Sequence, residues 1–193
     1  MVRLEHVSKS FAAIRAVDDV SLAIKKASIT ILTGADGAGK STVFKLLVGL
    51  AKKDSGAILL NGEDIGGDYS RITSICGYMP EKFSLYTDLS VEENMNFFAA
   101  IQQVPAQRRE ELKNRLLEKT GMEPFRRRRA GALSGGMKQK LALSTILLSS
   151  PELIILDEPT TGVDPLSRIE FFAIIEALKD EGKTIVMSTP YHD

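Results

Sequence analysis

The chain has little of what stabilises extracellular or membrane-embedded proteins. Its 193 residues include one cysteine, Cys76, and no tryptophan, so no internal disulfide can form and a reducing compartment is favoured. No apolar run approaches the 18 residues that a membrane-spanning helix needs. The charged segment at residues 1–7 also lacks the apolar centre of a signal peptide. We therefore expect a soluble, cytoplasmic protein with no direct membrane insertion.

An excess of charge of either sign is also absent. Lysine and arginine total 25, and so do aspartate and glutamate, so no overall field attracts the chain to nucleic acid or to an anionic membrane. The one basic run, at residues 126–129, is more typical of a solvated face than of a binding site. We expect no nucleic-acid partner. The length allows one good core, with at most an appended subdomain.

The most informative stretch is residues 34–42, which follow the pattern G-x-x-x-x-G-K-[ST]. Glycines let such a loop approach a polyphosphate and turn its N–H groups inward, and the following helix adds its positive dipole end. The alternative is a glycine-rich turn before an amphipathic helix, but a chance match is on the order of one in a hundred. We therefore predict a nucleotide-binding loop made of Gly34, Ala35, Asp36, Gly37, Ala38, Gly39, Lys40, Ser41 and Thr42.

The segments on either side of this loop supply the strand and the helix that it requires. Residues 28–33 form a β-branched run suited to a buried strand. Apolar residues recur at the i, i+3, i+4, i+7 spacing of a helix just after the loop, at Val43, Leu46, Leu47 and Leu50. In this context we expect Lys40 to contact the β- and γ-phosphates, Ser41 to bind Mg²⁺ and Thr42 to supply a further hydroxyl.

Several other segments are typical of strands. Residues 2–7 and 17–24 alternate apolar with polar side chains, which predicts half-buried antiparallel strands joined through a loop at residues 8–13. Within that loop, Phe11 taken alone is more typical of a core residue than of a base-stacking one. Asn61-Gly62 predicts a hairpin turn, and residues 74–79 predict a strand that Pro80 ends.

From about residue 83 the sequence becomes charge-rich and helix-forming. Ser90, with a glutamate three residues later, predicts a capping box. Residues 106–119 place Leu112 and Leu116 on one face of a helix. This insert runs to about Gly131 and separates two sets of strand patterns, so we interpret it as a helical subdomain.

A second group of small residues precedes a long apolar helix at residues 137–148. Ser134, Gly135 and Gly136 at a helix start make an anion site that has no lysine of its own. From these residues alone, a simple capped helix start is the favoured interpretation.

Two adjacent carboxylates follow a continuous apolar run at residues 153–156, which is typical of a central parallel strand. Because ligands bind at the carboxyl ends of such strands, we expect Asp157 and Glu158 to face the phosphate loop. Asp157 then holds Mg²⁺ and Glu158 accepts a proton from an attacking water, although an N-capping pair is the alternative. Beyond Asp164, a helix carries an apolar face made of Phe171, Ile174, Ile175 and Leu178. A last strand is predicted at residues 184–187.

Taken together, these segments resemble the nucleotide-binding domain of ABC transporters over nearly all of the chain. The Leu-Ser-Gly-Gly-Met-Lys-Gln at 133–139 is similar to the family's signature motif. The resemblance implies an α/β P-loop NTPase core with a mainly parallel sheet, an N-terminal antiparallel β subdomain and an inserted α-helical subdomain. We expect one domain over residues 1–193, with the core at about 1–82 and 150–193 and the helical part at about 83–149.

The resemblance also implies roles that composition does not suggest. Phe11 matches the aromatic residue that stacks on adenine, and residues 134–136 match the segment that clamps the γ-phosphate of ATP held by the opposite subunit. Asp164 matches a loop aspartate that crosses the dimer interface. The cofactors implied are ATP and Mg²⁺. The partners implied are a second nucleotide-binding domain, arranged head to tail, and a membrane permease that holds the chain at the inner face of the cell membrane. Residues 86–94 resemble those of drug exporters, which favours efflux.

Two positions depart from the family pattern. Glu81 stands where the family has a glutamine that supplies a carbonyl for Mg²⁺ and an amide donor, and by this position it is a candidate metal and catalytic residue. Pro190 stands where the family has a histidine that reaches the γ-phosphate. Glutamate keeps only acceptors and proline has no side-chain donor. We assign His192 no role. One alternative is therefore a slowly hydrolysing half that completes a partner's site, and a less favoured one is a soluble ABC ATPase of DNA repair or translation. We also expect further strand and helix after residue 193.

Overall fold

The computed structural model describes residues 1–82 and 85–190. The strands in these residues are β1 (Val2–Phe11), β2 (Ile14–Ile24), β3 (Ile29–Thr33), β4 (Ser55–Leu60), β5 (Glu63–Asp64), β6 (Cys76–Met79), β7 (Leu153–Leu156) and β8 (Thr184–Thr189). The α-helices are α1 (Lys40–Leu47), α2 (Ser70–Thr73), α3 (Val91–Ile101), α4 (Ala106–Lys119), α5 (Gly135–Ile146) and α6 (Pro165–Asp180).

These elements fall into two compact units. The first unit is made of Met1–Pro80, Glu152–Pro159 and the segment from Lys179 onwards, and it contains both β-sheets. The second is made of Glu81–Pro151 and Thr160–Leu178, and it is helical. That the two form one nucleotide-binding domain stays a prediction.

The N-terminal strands form an antiparallel sheet in the order β2-β1-β4-β5, which confirms the predicted strands and the hairpin at Asn61-Gly62. The loop predicted at residues 8–13 is wrong, because β1 and β2 stay paired as far as Phe11 and Ile14. Only two residues turn the chain between these strands. Irregular steps in the β1–β2 register interrupt the alternation of side chains, so the pattern in the sequence ends before the strand does.

The second sheet is parallel, in the order β3-β8-β7-β6, and its central strand β7 is buried along its whole length, as predicted. The prediction that the strand before the phosphate loop is buried is wrong. Among the described residues β3 pairs only with β8, so it is an edge strand, and Ile31 is 51% exposed. An apolar β-branched run predicts a strand, but its burial depends on neighbours that the run itself does not specify.

Helix α1 contributes Val43, Leu46 and Leu47 to the core of the first unit, as the periodicity predicts. The prediction that Leu50 belongs to this apolar face is wrong, because Leu50 is 68% exposed and lies beyond the end of α1. Gly49, at φ 74°, follows the last residues of α1 and accepts the left-handed conformation that ends a helix.

The second unit is built from helices whose starts and faces were largely predictable. Ser90 and Glu93 form the predicted capping box of α3, and α4 has the predicted bounds with Leu112 and Leu116 buried. The predicted start of the next helix at Met137 is two residues late. Helix α5 begins at Gly135 because Ser134 caps it. No helix in the described part of the chain is both long and apolar enough to span a bilayer.

Candidate functional site

The predicted nucleotide-binding loop runs from the end of β3 into the first turn of α1, all within the first unit. The N–H of Ala38 donates to the carbonyl of Ala35 at 3.1 Å, which closes a turn inside the loop. Gly39 is the N-cap of α1 and no side chain caps the helix. The helix therefore presents uncapped N–H groups and its positive dipole end to the loop, which is the electrostatic setting for a bound phosphate.

Gly39 is the loop position at which glycine is required for two separate reasons. Its φ of 93° is unfavourable for residues with a side chain. A Cβ at this position would also lie 2.2 Å from the carbonyl oxygen of Ala16 in β2. Strand β2 thus supports the loop from beneath, and the loop has its shape only because position 39 lacks a side chain.

Lys40 is the first residue of α1 and is only 7% exposed. Its Nζ donates hydrogen bonds to the carbonyl oxygens of Gly34 at 2.6 Å and Ala35 at 3.1 Å. The same Nζ lies 3.2 Å from Oε1 of Glu158, whose side chain is 11% exposed. The prediction that a carboxylate after β7 faces the phosphate loop is therefore correct for Glu158.

Asp157 lies at the carboxyl end of β7, where it is 2% exposed. The hydroxyl of Ser188, in the neighbouring strand β8, donates to Oδ1 of Asp157 at 2.7 Å and accepts from the N–H of Glu158 at 2.9 Å. One serine thus orients both acidic residues. Glu158 itself has a φ of 48°, and a non-glycine residue in the left-handed region is a form of strain that clusters at functional sites.

Tyr78 on β6 adds a neutral group near the same acid. Its hydroxyl is buried and, among the described residues, has no hydrogen-bond partner. Burial first, and the nearby Asp157 carboxylate second, raise the pKa of Tyr78 to about 12. The phenol therefore stays protonated at neutral pH and adds no charge to the site.

Phe11 ends β1 and is 48% exposed, with Nζ of Lys9 5.3 Å from the centre of its ring. The interpretation of Phe11 as a core residue is wrong, since half of its side chain is open to solvent. An exposed aromatic ring is the form in which it can meet a planar ligand, so the adenine contact stays a prediction.

In the second unit, Ser134 accepts a hydrogen bond from the N–H of Met137 at 3.3 Å and so caps α5. Asp164 accepts one from the N–H of Ser167 at 2.9 Å at the start of α6. This bond holds the pKa of the Asp164 carboxyl below its usual range. Both residues therefore serve their own helices, which leaves the roles implied by the resemblance untested.

A family model described as "ABC transporter" matches residues 17–161. The chain belongs to the ABC transporter family. The match runs from β2 through the phosphate loop and the helical insert to Asp157 and Glu158, whereas Phe11, Asp164 and Ser188 lie outside it. The family assignment therefore rests on residues 17–161 and not on the phosphate loop alone.

Relatives within the ABC transporter family agree with this assignment. The chain is 44% identical over 178 residues to the probable multidrug ABC transporter ATP-binding protein YbhF of Escherichia coli K12, which covers 92% of this chain and 31% of YbhF. It is 34% identical over 187 residues to the lipopolysaccharide export system ATP-binding protein LptB of the same strain, which covers 95% of this chain and 78% of LptB. The chain thus spans about a third of the length of YbhF.

The fold is that of ABC ATP-binding cassettes. The dimeric structure of the cassette MJ0796 in a post-hydrolysis state, bound to ADP and Pi, matches with a TM-score of 0.84 at 25% identity. That match covers 100% of this chain and 88% of the other. The predicted fold class, with an antiparallel sheet, a parallel sheet and helices, is confirmed.

Glu81 and Pro190, the two residues that depart from the ABC transporter pattern, both lie within the described part of the chain. Glu81 is exposed at the start of the second unit, and Pro190 directly follows β8. His192, to which we assigned no role, lies outside the described residues. Proline at position 190 supplies neither an N–H nor a side-chain donor at the end of the strand that carries Ser188.

The residues at the carboxyl ends of the strands suit a magnesium ion held mainly by a nucleotide. Among the described residues, no group of three or more histidine, cysteine, aspartate or glutamate side chains could hold a metal. Mg²⁺ needs no such cage, because it is usually bound through one or two carboxylates together with substrate phosphates. Asp157 would supply such a carboxylate and Ser41, in the first turn of α1, would supply a hydroxyl.

Sequence reasoning missed Ser188 and Tyr78 as parts of this site. Ser188 lies 31 residues from Asp157 in the sequence, and only the pairing of β7 with β8 brings the two together. Tyr78 pairs in register with Ile155, two residues before Asp157. The signal that could have found both is the parallel sheet order itself, because residues at the carboxyl ends of adjacent strands lie together.

Proposed function

We propose that this chain binds ATP with Mg²⁺ and hydrolyses it to drive transport, as one of two nucleotide-binding domains paired head to tail. The observation that carries the proposal is the contact between Lys40 of the phosphate loop and Glu158 after β7. A phosphate-binding cation and an acid suited to activate water thus meet at one point. The family membership and the ATP-binding names of the relatives support the same activity.

Each residue has a role that its position allows. Lys40 exchanges its bonds to the carbonyls of Gly34 and Ala35 for oxygens of the β- and γ-phosphates. Ser41 and Asp157 hold Mg²⁺, which when bound neutralises charge that builds up on the phosphates. Glu158 polarises the attacking water, and Ser188 keeps the two acids in place. Phe11 stacks on adenine.

The second nucleotide-binding domain completes the site in this proposal. Ser134, Gly135 and Gly136 of one cassette contact the γ-phosphate held by the other, and Asp164 crosses between them. A dimer is the form of the related cassette MJ0796 bound to ADP and Pi. A membrane permease would hold the pair at the inner face of the membrane. The names of YbhF, a probable multidrug protein, and of LptB, an export protein, favour efflux over uptake.

We further propose that this chain's own site turns over slowly. Glu81 removes an amide donor and adds negative charge near the polyphosphate, and Pro190 removes a donor to the γ-phosphate. Loss of one preorganised donor at a reacting centre costs about 10²- to 10³-fold in rate. A chain of this kind binds Mg-ATP and lends its Ser134–Gly136 segment to a competent site on a partner.

Single-turnover hydrolysis by the concentrated chain with Mg-ATP tests both statements. Lys40→Ala should abolish nucleotide binding, and ATP binding unaffected by this change would contradict the proposed site.

Glu81→Gln combined with Pro190→His should raise the rate by at least tenfold. Fast hydrolysis by the unsubstituted chain that Glu158→Gln abolishes would contradict the slow site while supporting the ATPase activity. Co-purification with a permease from solubilised membranes tests the transport role.

A further inference from the structure

Gly136 and Ser167 lie in closer contact than any side chain at position 136 would allow. A Cβ built on Gly136 would lie 2.4 Å from Cβ of Ser167 and 2.5 Å from its Oγ. The backbone of Gly136 is helical, so conformation alone would accept alanine there. Glycine is needed at this position because Ser167 occupies the space, and both residues belong to the second unit.

The neighbouring Gly135 provides an internal comparison. A Cβ at Gly135 would come no closer to another atom than 3.9 Å, to the carbonyl oxygen of Gly162. That distance is an ordinary van der Waals contact. Of the two glycines in the Ser134–Gly136 segment, one is therefore packed against α6 and the other has room for a methyl group.

Ser167 also touches the turn that contains Asp164. Its backbone N–H donates to Oδ1 of Asp164 at 2.9 Å, while its side chain meets Gly136. Ser167 thus contacts the Ser134–Gly136 segment through its side chain and the turn of Asp164 through its backbone. Lys140 of α5 and Glu170 of α6 form an ion pair about one turn further along both helices. The first turns of α5 and α6 therefore run side by side.

We propose that Ser167 is a positioning residue that holds Ser134–Gly136 and Asp164 in one fixed arrangement for contact with the partner's nucleotide. The inference rests on the proposed function, since it needs two cassettes to pair around ATP. Because Ser167 contacts both, the Ser134–Gly136 segment and the turn of Asp164 cannot shift separately. A displacement at Gly136 moves Ser167, and a displacement of Ser167 strains the hydrogen bond to Asp164.

A cycle of substitutions tests whether this contact exists in solution. Gly136→Ala should lower the urea midpoint of the nucleotide-free chain, and adding Ser167→Gly should restore it, because glycine removes both Cβ and Oγ. Adding Ser167→Ala instead should not restore it, since the Cβ at 2.4 Å remains. Gly135→Ala is the control for stability and should leave the midpoint unchanged or raise it slightly, because alanine favours a helix and has room there. A midpoint that Gly136→Ala does not change would overturn the inference.

The same variants test positioning as distinct from packing. ATP-dependent association is measured by light scattering in a Glu158→Gln background, at a temperature where every variant is folded. Gly136→Ala should weaken association at least tenfold, and the Gly136→Ala/Ser167→Gly pair should recover most of it. Recovery of stability without recovery of association would overturn the positioning role, because Ser167 would then matter for packing alone.

The ATP-dependent dimer and the positioning role of Ser167 give different results when they fail. If the unsubstituted chain with Glu158→Gln shows no ATP-dependent association, the proposed dimer and the positioning role fail together, while the urea midpoints still report on the contact. If that chain associates and the double variant does not recover, the dimer stands and the role of Ser167 is overturned.

Discussion

Nζ of Lys40 lies 3.2 Å from Oε1 of Glu158 while it also donates to two carbonyl oxygens of the phosphate loop. Lys40, which we propose binds the polyphosphate, is therefore paired with Glu158, which we propose activates the attacking water. In the proposed function, a nucleotide entering the loop would compete with Glu158 for Lys40. Its binding would then release the carboxylate, so that phosphate binding and activation of Glu158 would be one event.

Glu158→Gln should consequently separate binding from turnover. We expect hydrolysis to fall by roughly 10²- to 10⁴-fold, because a general base is lost. We expect the affinity for Mg-ATP to stay equal or rise, because a negative charge near the phosphates is removed. Titration with a fluorescent ATP analogue and a single-turnover assay measure the two effects. Glu152→Gln, an exposed carboxylate just before β7, is the control, and weaker binding by Glu158→Gln would contradict this account.

The glycines of the phosphate loop should differ in their tolerance of a methyl group. Gly37 and Gly39 both have positive φ, of 80° and 93°, so alanine at either position costs about 1–2 kcal/mol in backbone strain. Only Gly39→Ala adds a clash, with the carbonyl of Ala16. We expect it to lower the free energy of unfolding by about 2 kcal/mol more than Gly37→Ala does. Urea unfolding measures this difference, and equal losses would show that β2 does not support the loop.

Asn94 should be among the most sensitive polar residues of the second unit. Its amide, which is fully buried, accepts from the N–H of Tyr86 and donates to the carbonyls of Tyr86, Leu89 and Ser90. Asn94→Ala would leave the N–H of Tyr86 without this acceptor and would remove one hydrogen bond from each of the three carbonyls, which keep a backbone donor. It should cost about 2–4 kcal/mol of stability. Asn114→Ala, which removes an exposed acceptor of Arg126, should cost about 0.5 kcal/mol or less. Chemical unfolding of both variants at one temperature tests the contrast.

The ionic cluster around Lys113 should make stability fall in acid. Lys113, 4% exposed, lies 2.9 Å from Glu92 and 2.7 Å from Glu110. Its hydrogen bond lowers the pKa of the Glu92 carboxyl. A lowered folded pKa means that this stability is complete above the unfolded pKa, near 4.3, and is lost as pH falls through the lower folded value. The free energy of unfolding should therefore decline from about pH 5 downwards.

Glu92→Gln removes this contribution together with the ion pair between Glu92 and Arg126, whose atoms lie 2.9 Å apart. It should destabilise the chain at pH 7 by about 1–3 kcal/mol, since the buried Lys113 loses one of its two carboxylates. It should also flatten the decline of stability between about pH 5 and 3. Glu111→Gln, on the exposed side of α4, is the matched control. An unchanged pH slope in Glu92→Gln would show that the ion pairs of Glu92 with Lys113 and Arg126 do not stabilise the fold.

Local signals in the sequence were sufficient for most elements. The bounds of α4, the capping box of α3 and the hairpin at Asn61-Gly62 were all predictable, because each depends on residues within one turn of each other. The exposure of Ile31, Leu50 and Phe11 was not predictable. Burial depends on which strands pair and where a helix ends, and an apolar run does not encode its neighbours.

The candidate site divides in the same way. The residue pattern alone predicted the phosphate loop, the acids after β7 and the small residues at the start of α5, because a backbone cradle, a metal ligand and a helix start each need particular residue types at fixed spacing. The tertiary structure decided which of them meet. The parallel order β3-β8-β7-β6 brings Ser188 to Asp157 and Glu158 to Lys40, and the packing of α5 on α6 makes Gly136 indispensable. These contacts join residues far apart in the chain, so only the folded arrangement of strands and helices specifies them.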